Sequence, residues 1–102
     1  MDITSDHIAR MMQAVRVTSQ TAYEDIEELL QAFPHEMDIA GACVTDLDDA
    51  LTWQAAKLYC KCHYGYDEDT ERFHKAFSAL RDSMALSGDY PRLKAGDGDV
   101  QP

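Results

Sequence analysis

Apolar residues recur along this chain at the helical period, in runs separated by polar punctuation. Ile8, Met11, Met12 and Val15 fall at i, i+3, i+4 and i+7, which predicts a first helix over about Ser5–Val15 with Thr4 or Ser5 as its cap. A second stripe comprises Ile26, Leu29, Leu30, Phe33, Met37 and Ala40. Thr21 and Glu24 have capping-box spacing at its start, and Gly41 marks its stop. The stripe keeps its phase through Pro34, which predicts a kinked helix or two collinear pieces and no chain reversal. Ala42 to Asp49 reads as a loop.

The third run, about Asp48 to Tyr64, is apolar over most of its circumference. Leu51, Ala55, Leu58, Tyr59 and Cys62 form one face, and Trp53, Ala56, Cys60 and Tyr64 cover much of the rest. Such a helix is expected at the centre of a bundle, with Asp46 or Asp48 as cap and Gly65 as stop. The fourth run buries Phe73, Phe77, Leu80 and Met84. Asp67 is its expected cap, Glu68, Asp69 and Glu71 suit the helix dipole in its first turn, and Gly88 ends it. Glu68–Arg72 and Glu71–Lys75 have the favourable i,i+4 orientation. No run alternates like a strand. The expectation is an all-α fold: one small four-helix domain over residues 1–88, with a long acidic second helix kinked near Pro34, a central apolar third helix, and a flexible polar tail over 89–102.

Charge narrows the function. The net charge is −10, with Lys and Arg together numbering 9 against 19 acids. Phosphate contacts need clustered bases, so specific nucleic-acid binding and docking on an anionic membrane are disfavoured. A helix-turn-helix regulator would need a basic recognition helix that is not here. The start Met1-Asp2-Ile3-Thr4 has no basic region followed by an apolar run, and no stretch is long and apolar enough to span a bilayer, so a cytoplasmic chain is expected. The 3 cysteines, Cys43, Cys60 and Cys62, suit neither a disulfide framework nor a zinc site and read as reduced thiols.

Candidate chemistry is thin. In Cys60-Lys61-Cys62-His63, residues two apart on a helix point in nearly opposite directions, so the two thiols cannot share an ion. Cys60 with His63 supplies half a structural zinc site. A Cys–His nucleophile lacks a recognisable orienting acid and oxyanion turn. Asp46, Asp48 and Asp49 lack the glycine and terminal glutamate of a calcium loop, and read as helix caps. His7, His35 and His74 lie outside the stripes and read as solvated, and Met11 and Met12 as core. The expectation is no enzyme, no cofactor and no metal.

One pattern admits a sharper account beside the bland one of a solvated acidic face. Between Val17 and Ala56 there is no Lys or Arg, but there are Glu24, Asp25, Glu27 and Glu28, then Glu36, Asp38, Asp46, Asp48 and Asp49. Bases return at Lys57, Lys61, Arg72, Lys75 and Arg81. This suggests a two-sided subunit in which the Glu24, Asp25, Glu27 and Glu28 flank of one copy meets the Lys57, Lys61, Arg72 and Lys75 flank of the next, a head-to-tail contact that can close into a ring.

The string DDALTWQAAKLYCKCHYGYDEDTERFHKAFSALRDSMALSGDY, Asp48 to Tyr90, resembles the C-terminal half of small head–tail connector proteins from long-tailed phages and prophages of Gram-positive bacteria. The resemblance rests on the acidic start before Ala50-Leu51, on Ala56-Lys57-Leu58-Tyr59-Cys60-Lys61, on the aromatic, glycine and acidic turn, and on Ala79-Leu80-Arg81 before Leu86-Ser87-Gly88-Asp89-Tyr90. Upstream, a short helix, Val15-Arg16-Val17 and a long acidic helix ending in Ala40-Gly41 match the same layout; Pro34 departs from it. The resemblance implies a virion protein that forms a ring beneath the portal protein, extends the DNA channel without specific DNA binding, and docks tail-side neck proteins. It implies assembly in the host bacterial cytoplasm, and a docking role for the segment from Tyr90 on, with Arg92, Leu93 and Lys94. The alternative is an acidic monomeric or dimeric binding protein, a DNA mimic or inhibitor of a host protein. A small thiol enzyme is a further rival, one that unusual reactivity at Cys60 or Cys62 would favour.

Overall fold

The computed structural model describes residues 1–64 and 67–90, without the side chains of residues 64 and 67–69. The expected stop Gly65, the Asp67 cap side chain, the Glu68–Arg72 pair, and Arg92, Leu93 and Lys94 therefore lie outside the described residues. The order is α1 (Ser5–Val15), α2 (Gln20–Ala40), α3 (Ala50–Tyr64) and α4 (Asp67–Ser87), with no strand among the described residues. The domain is all-α, as the stripes predict.

α1 is capped by Thr4, whose Oγ1 accepts from the His7 amide at 3.2 Å. It ends at Arg16, a left-handed residue with φ +63°, whose amide bonds back into the last turn. α2 begins earlier than its Thr21–Glu24 spacing suggests. Ser19 is the cap, accepting from the Ala22 amide at 3.0 Å, and Thr21 is already helical and exposed. α2 continues through Pro34 as one helix of 21 residues, ending at the left-handed Gly41 (φ +101°). Ala22, Ile26, Leu30, Phe33 and Met37 are its buried face.

The α2–α3 loop is part of the core. Ala42, Val44 and Leu47 are buried, which the reading of 42–49 as a plain loop did not anticipate. The cap of α3 is Asp49, in place of the expected Asp46 or Asp48: its Oδ2 accepts from the Thr52 amide at 3.1 Å and from Thr52 Oγ1 at 3.0 Å. Asp46 instead shapes the approach, accepting from the Asp48 amide at 2.9 Å. The buried face of α3 runs through Thr52, Ala55, Ala56, Tyr59 and Cys60, so Thr52 is inward, 1% exposed, and Leu51 outward, 48% exposed, contrary to the predicted face. Burying a hydroxyl is tolerated here because Asp49 accepts its proton.

α3 is the central helix, touching α1, α2 and α4, and its most extensive contact is with α4. The two run antiparallel: Lys61 meets Phe73, Tyr59 meets Phe77, and Asp49 meets Tyr90. Ala55, Ala56, Tyr59, Cys60 and Cys62 are buried, and Phe77 and Met84 anchor α4, with Phe73 and Leu80 half-buried. Phe33 of α2 closes the core against Tyr59 (5.8 Å between ring centroids) and Phe77 (6.5 Å).

Candidate functional site: two charged flanks and two anchored corners

Among the described residues no group of His, Cys, Asp or Glu is placed to hold a metal ion, and no helix is long and apolar enough to cross a membrane. The thiols Cys43, Cys60 and Cys62 are free. Burial pushes the Cys60 thiol up to about 12, with Cys62 adding to it, and raises Cys62 as well. A nucleophilic cysteine needs the opposite shift, toward thiolate at neutral pH. His63 lies edge-on to the Tyr59 ring at 4.8 Å.

The charged flanks diverge around the last turn of α3. Lys61 extends toward α4, its Nζ 5.3 Å from the Phe73 ring, where the Arg72 guanidinium also lies at 5.2 Å. His63, two residues on and so about 200° around the helix, faces the other way. It lines a 530 Å³ groove with Asp25, Glu28, Leu29 and Ala32 of α2. Glu24, Asp25 and Glu28 are exposed and Glu27 half-exposed on the acidic side. Arg72 and Lys75 are exposed, and Lys57 and Lys61 half-exposed, on α3 and α4. The cations over Phe73 are held by the quadrupole of the ring, which leaves their charge at the surface.

Two corners meet at the start of α3, on the adjacent Asp48 and Asp49. At the first, His7 is 7% exposed, contrary to its expected solvated state. It occupies the third helical position of α1 and completes a capping box that usually takes Glu or Gln: its Nδ1 accepts from the Thr4 amide at 3.1 Å. With Nδ1 as acceptor, the neutral ring carries its proton on Nε2, which donates to Asp48 Oδ1 at 3.0 Å. Arg10 adds to the corner, stacked 4.5 Å from the Trp53 centroid and 3.7 Å from the same Asp48 oxygen. No Ser/Thr–Glu signal marks this site, which is why pattern reading passed over it.

At the second corner, Tyr90 is half-buried against the core and so belongs to the folded unit, although the tail was expected to begin at 89. Its carbonyl accepts from the Cys43 amide at 2.9 Å, and its hydroxyl donates to Asp49 Oδ2 at 2.6 Å. The bond to Asp49 pushes the Tyr90 phenol up to about 12, and the bonds from Tyr90 and Thr52 hold the Asp49 carboxyl below its ordinary value. The residue proposed for docking is thus already engaged within its own fold.

Comparison with protein families, curated proteins and solved structures found no match to this chain.

Proposed function

We propose that this chain is a structural, non-catalytic protein of a bacteriophage particle, a head–tail connector subunit that assembles as a ring under the portal protein. The observation that carries the reading is the divergence of charge around α3: carboxylates beside His63 on the α2 side, and Lys61 and Arg72 around Phe73 on the α4 side. A surface whose two flanks are complementary but distinct favours head-to-tail contacts over two-fold ones, and head-to-tail contacts close into rings when the rotation divides a full turn. The resemblance over Asp48–Tyr90 supports the same reading, because its two segments are α3 and α4. In such a ring the protein acts by shape and contact. Its net charge of −10 repels phosphate, which suits a channel that DNA passes without binding. Its places would be the host cytoplasm during assembly and then the virion neck, between portal and tail-side neck proteins.

Light scattering after gel filtration over a wide concentration range, with negative-stain images of the concentrated sample, tests this. Closed rings support the reading. A chain that stays monomeric both alone and with portal protein overturns it.

A second reading is an acidic binding protein that occupies a basic surface on a host protein. The groove between α2 and α3 favours it, since Asp25 and Glu28 rim an apolar floor of Leu29 and Ala32. A monomer or dimer that copurifies with one nucleic-acid enzyme, and is displaced by DNA, would establish it.

A further inference from the structure

Neither charged flank uses the corner where α4 ends. There Ser87 Oγ donates to the Met84 carbonyl at 2.9 Å and accepts from the Asp89 amide at 3.1 Å. Gly88 then turns the chain with φ +83°, in open space: no atom lies within 4 Å of where a Cβ would stand. The turn returns Tyr90 to the α2–α3 loop, where it makes its bonds to Cys43 and Asp49.

The two sides of this contact are held very differently. On the loop side, Ala42, Val44 and Leu47 are core residues. On the strap side, Leu86, Ser87, Gly88 and Asp89 are exposed. Among the described residues, and apart from the Ser87 turn, the strap is fastened through Tyr90, by its half-buried ring, its carbonyl and its hydroxyl. Asp49 Oδ2 is the shared point: the same oxygen accepts from the Thr52 amide, the Thr52 hydroxyl and the Tyr90 hydroxyl. A single carboxylate both starts α3 and locks the strap.

We propose that Gly88–Tyr90 is a releasable clasp that swings off the α2–α3 loop about Gly88, with the four helices intact, when Asp49 takes up a proton. A protonated carboxyl is a weaker acceptor, and the 2.6 Å bond draws its strength from the charge on Asp49. Partial opening of this kind belongs to segments with few buried contacts. Other ionisable groups lie at the contact. Asp46 and Cys43 from the loop and Asp89 from the strap line the same 260 Å³ groove, and α3 contributes there the neutral Thr52. Asp48 is turned toward His7 and Arg10 of α1. Asp46 and Asp89 add negative charge to the same groove, and Asp46 Oδ1 also accepts from the Asp48 amide, so it is the comparison with Asp49→Asn that assigns opening in acid to Asp49.

The test is hydrogen exchange on the full chain, comparing the protection factor of the Cys43 amide with that of core amides such as Phe33. In Tyr90→Phe at neutral pH, Cys43 should lose roughly 5- to 10-fold of its protection, the loss expected for one partly exposed charge-assisted hydrogen bond, while Phe33 keeps its own. Asp49→Ser retains a capping side chain that cannot reach Tyr90, and should give the same local loss. In the unsubstituted chain the loss should develop as pH falls below the usual carboxylate range; in Asp49→Asn it should be present at neutral pH and constant. Unchanged Cys43 protection in Tyr90→Phe overturns the proposal. So does acid-induced loss at Cys43 that proceeds in step with Phe33, because that is global unfolding. Both readouts are independent of ring formation, so the proposal stands or falls apart from the connector reading.

Discussion

Tyr90 donates its hydroxyl to Asp49 Oδ2 at 2.6 Å across a sequence separation of 41 residues, and so ties the turn after α4 to the start of the central helix α3. The bond sets a pH dependence whose sign is fixed. The folded-state carboxyl of Asp49 lies below its unfolded value, because Tyr90 and then Thr52 donate to the charged form. Its contribution is therefore complete above the unfolded carboxylate range and is lost as pH falls through the folded value. Urea unfolding from neutral pH down to pH ~3 should show Asp49→Asn losing less stability than the unsubstituted chain, by about 1 kcal/mol for one partly exposed charge-assisted bond. Parallel pH profiles would refute this account of Asp49.

The core makes a larger prediction. Phe33 is fully buried and meets both Tyr59 and Phe77, so it joins α2 to the α3–α4 pair. Phe33→Ala should cost about 3–5 kcal/mol, a large share of the ~5–15 kcal/mol expected for a domain of this size. The far-ultraviolet helical signal should melt at much lower temperature or be largely lost. A loss under about 1 kcal/mol would mean that α2 is not packed on α3 and α4 through this ring.

Much of this packing was legible beforehand, because apolar residues at helical period leave little choice of face. The stripes through Ile26, Leu30, Phe33 and Met37, and through Phe77 and Met84, point inward as read. What escaped was set by contacts that have no period. Thr52 is buried because the Asp49 carboxylate waits for its hydroxyl, and no hydropathy pattern marks a polar residue whose partner lies three residues back. His7 is buried because the Thr4 amide and Asp48 satisfy both ring nitrogens. Ala42, Val44 and Leu47 form too short a segment to show a repeat. Tyr90 looked like tail, since its partners Cys43 and Asp49 are distant in sequence. The charged flanks were visible as composition, but their divergence around α3 needed the facing of Lys61 and His63.

Pro34 predicts a gain. It lies inside α2, where proline has no amide to donate and its ring crowds the preceding turn. Pro34 is half-exposed, so alanine removes little packing. Pro34→Ala should raise stability by about 1–3 kcal/mol, read from the urea midpoint at unchanged slope. A destabilised variant would show that the proline ring contributes packing greater than the helix penalty it imposes.

Thiol chemistry should rank the cysteines by burial. Cys60 is fully buried and its thiol is pushed up to about 12, so almost no thiolate exists at neutral pH. Cys62 is raised in the same direction, while Cys43 is only half-buried. Maleimide labelling of the native chain, with sites located by peptide mass spectrometry, should therefore modify Cys43 first and Cys60 last. Rapid, selective labelling of Cys60 would reverse the order and revive a thiol enzyme as a reading of this fold.

The charged flanks carry the prediction that bears most directly on function. Lys61 and Glu28 belong to sides that diverge around α3, so within one copy they are not partners; between copies, head to tail, they can be. Lys61→Glu alone places like charges across such a contact and should abolish assembly, as should Glu28→Lys alone. Combined in one chain, the two reversals restore opposite charges and should recover rings of the original size. Mixing the two single variants is a second readout: each presents one normal flank, so a mixture can form alternating contacts that neither forms alone. Association should weaken as salt rises toward 1 M, where screening acts within about 3 Å. The decisive comparison is the double variant against the singles by light scattering. If the singles assemble normally, the flanks are solvated surface; if the double fails as badly as either single, the charges matter but do not face each other.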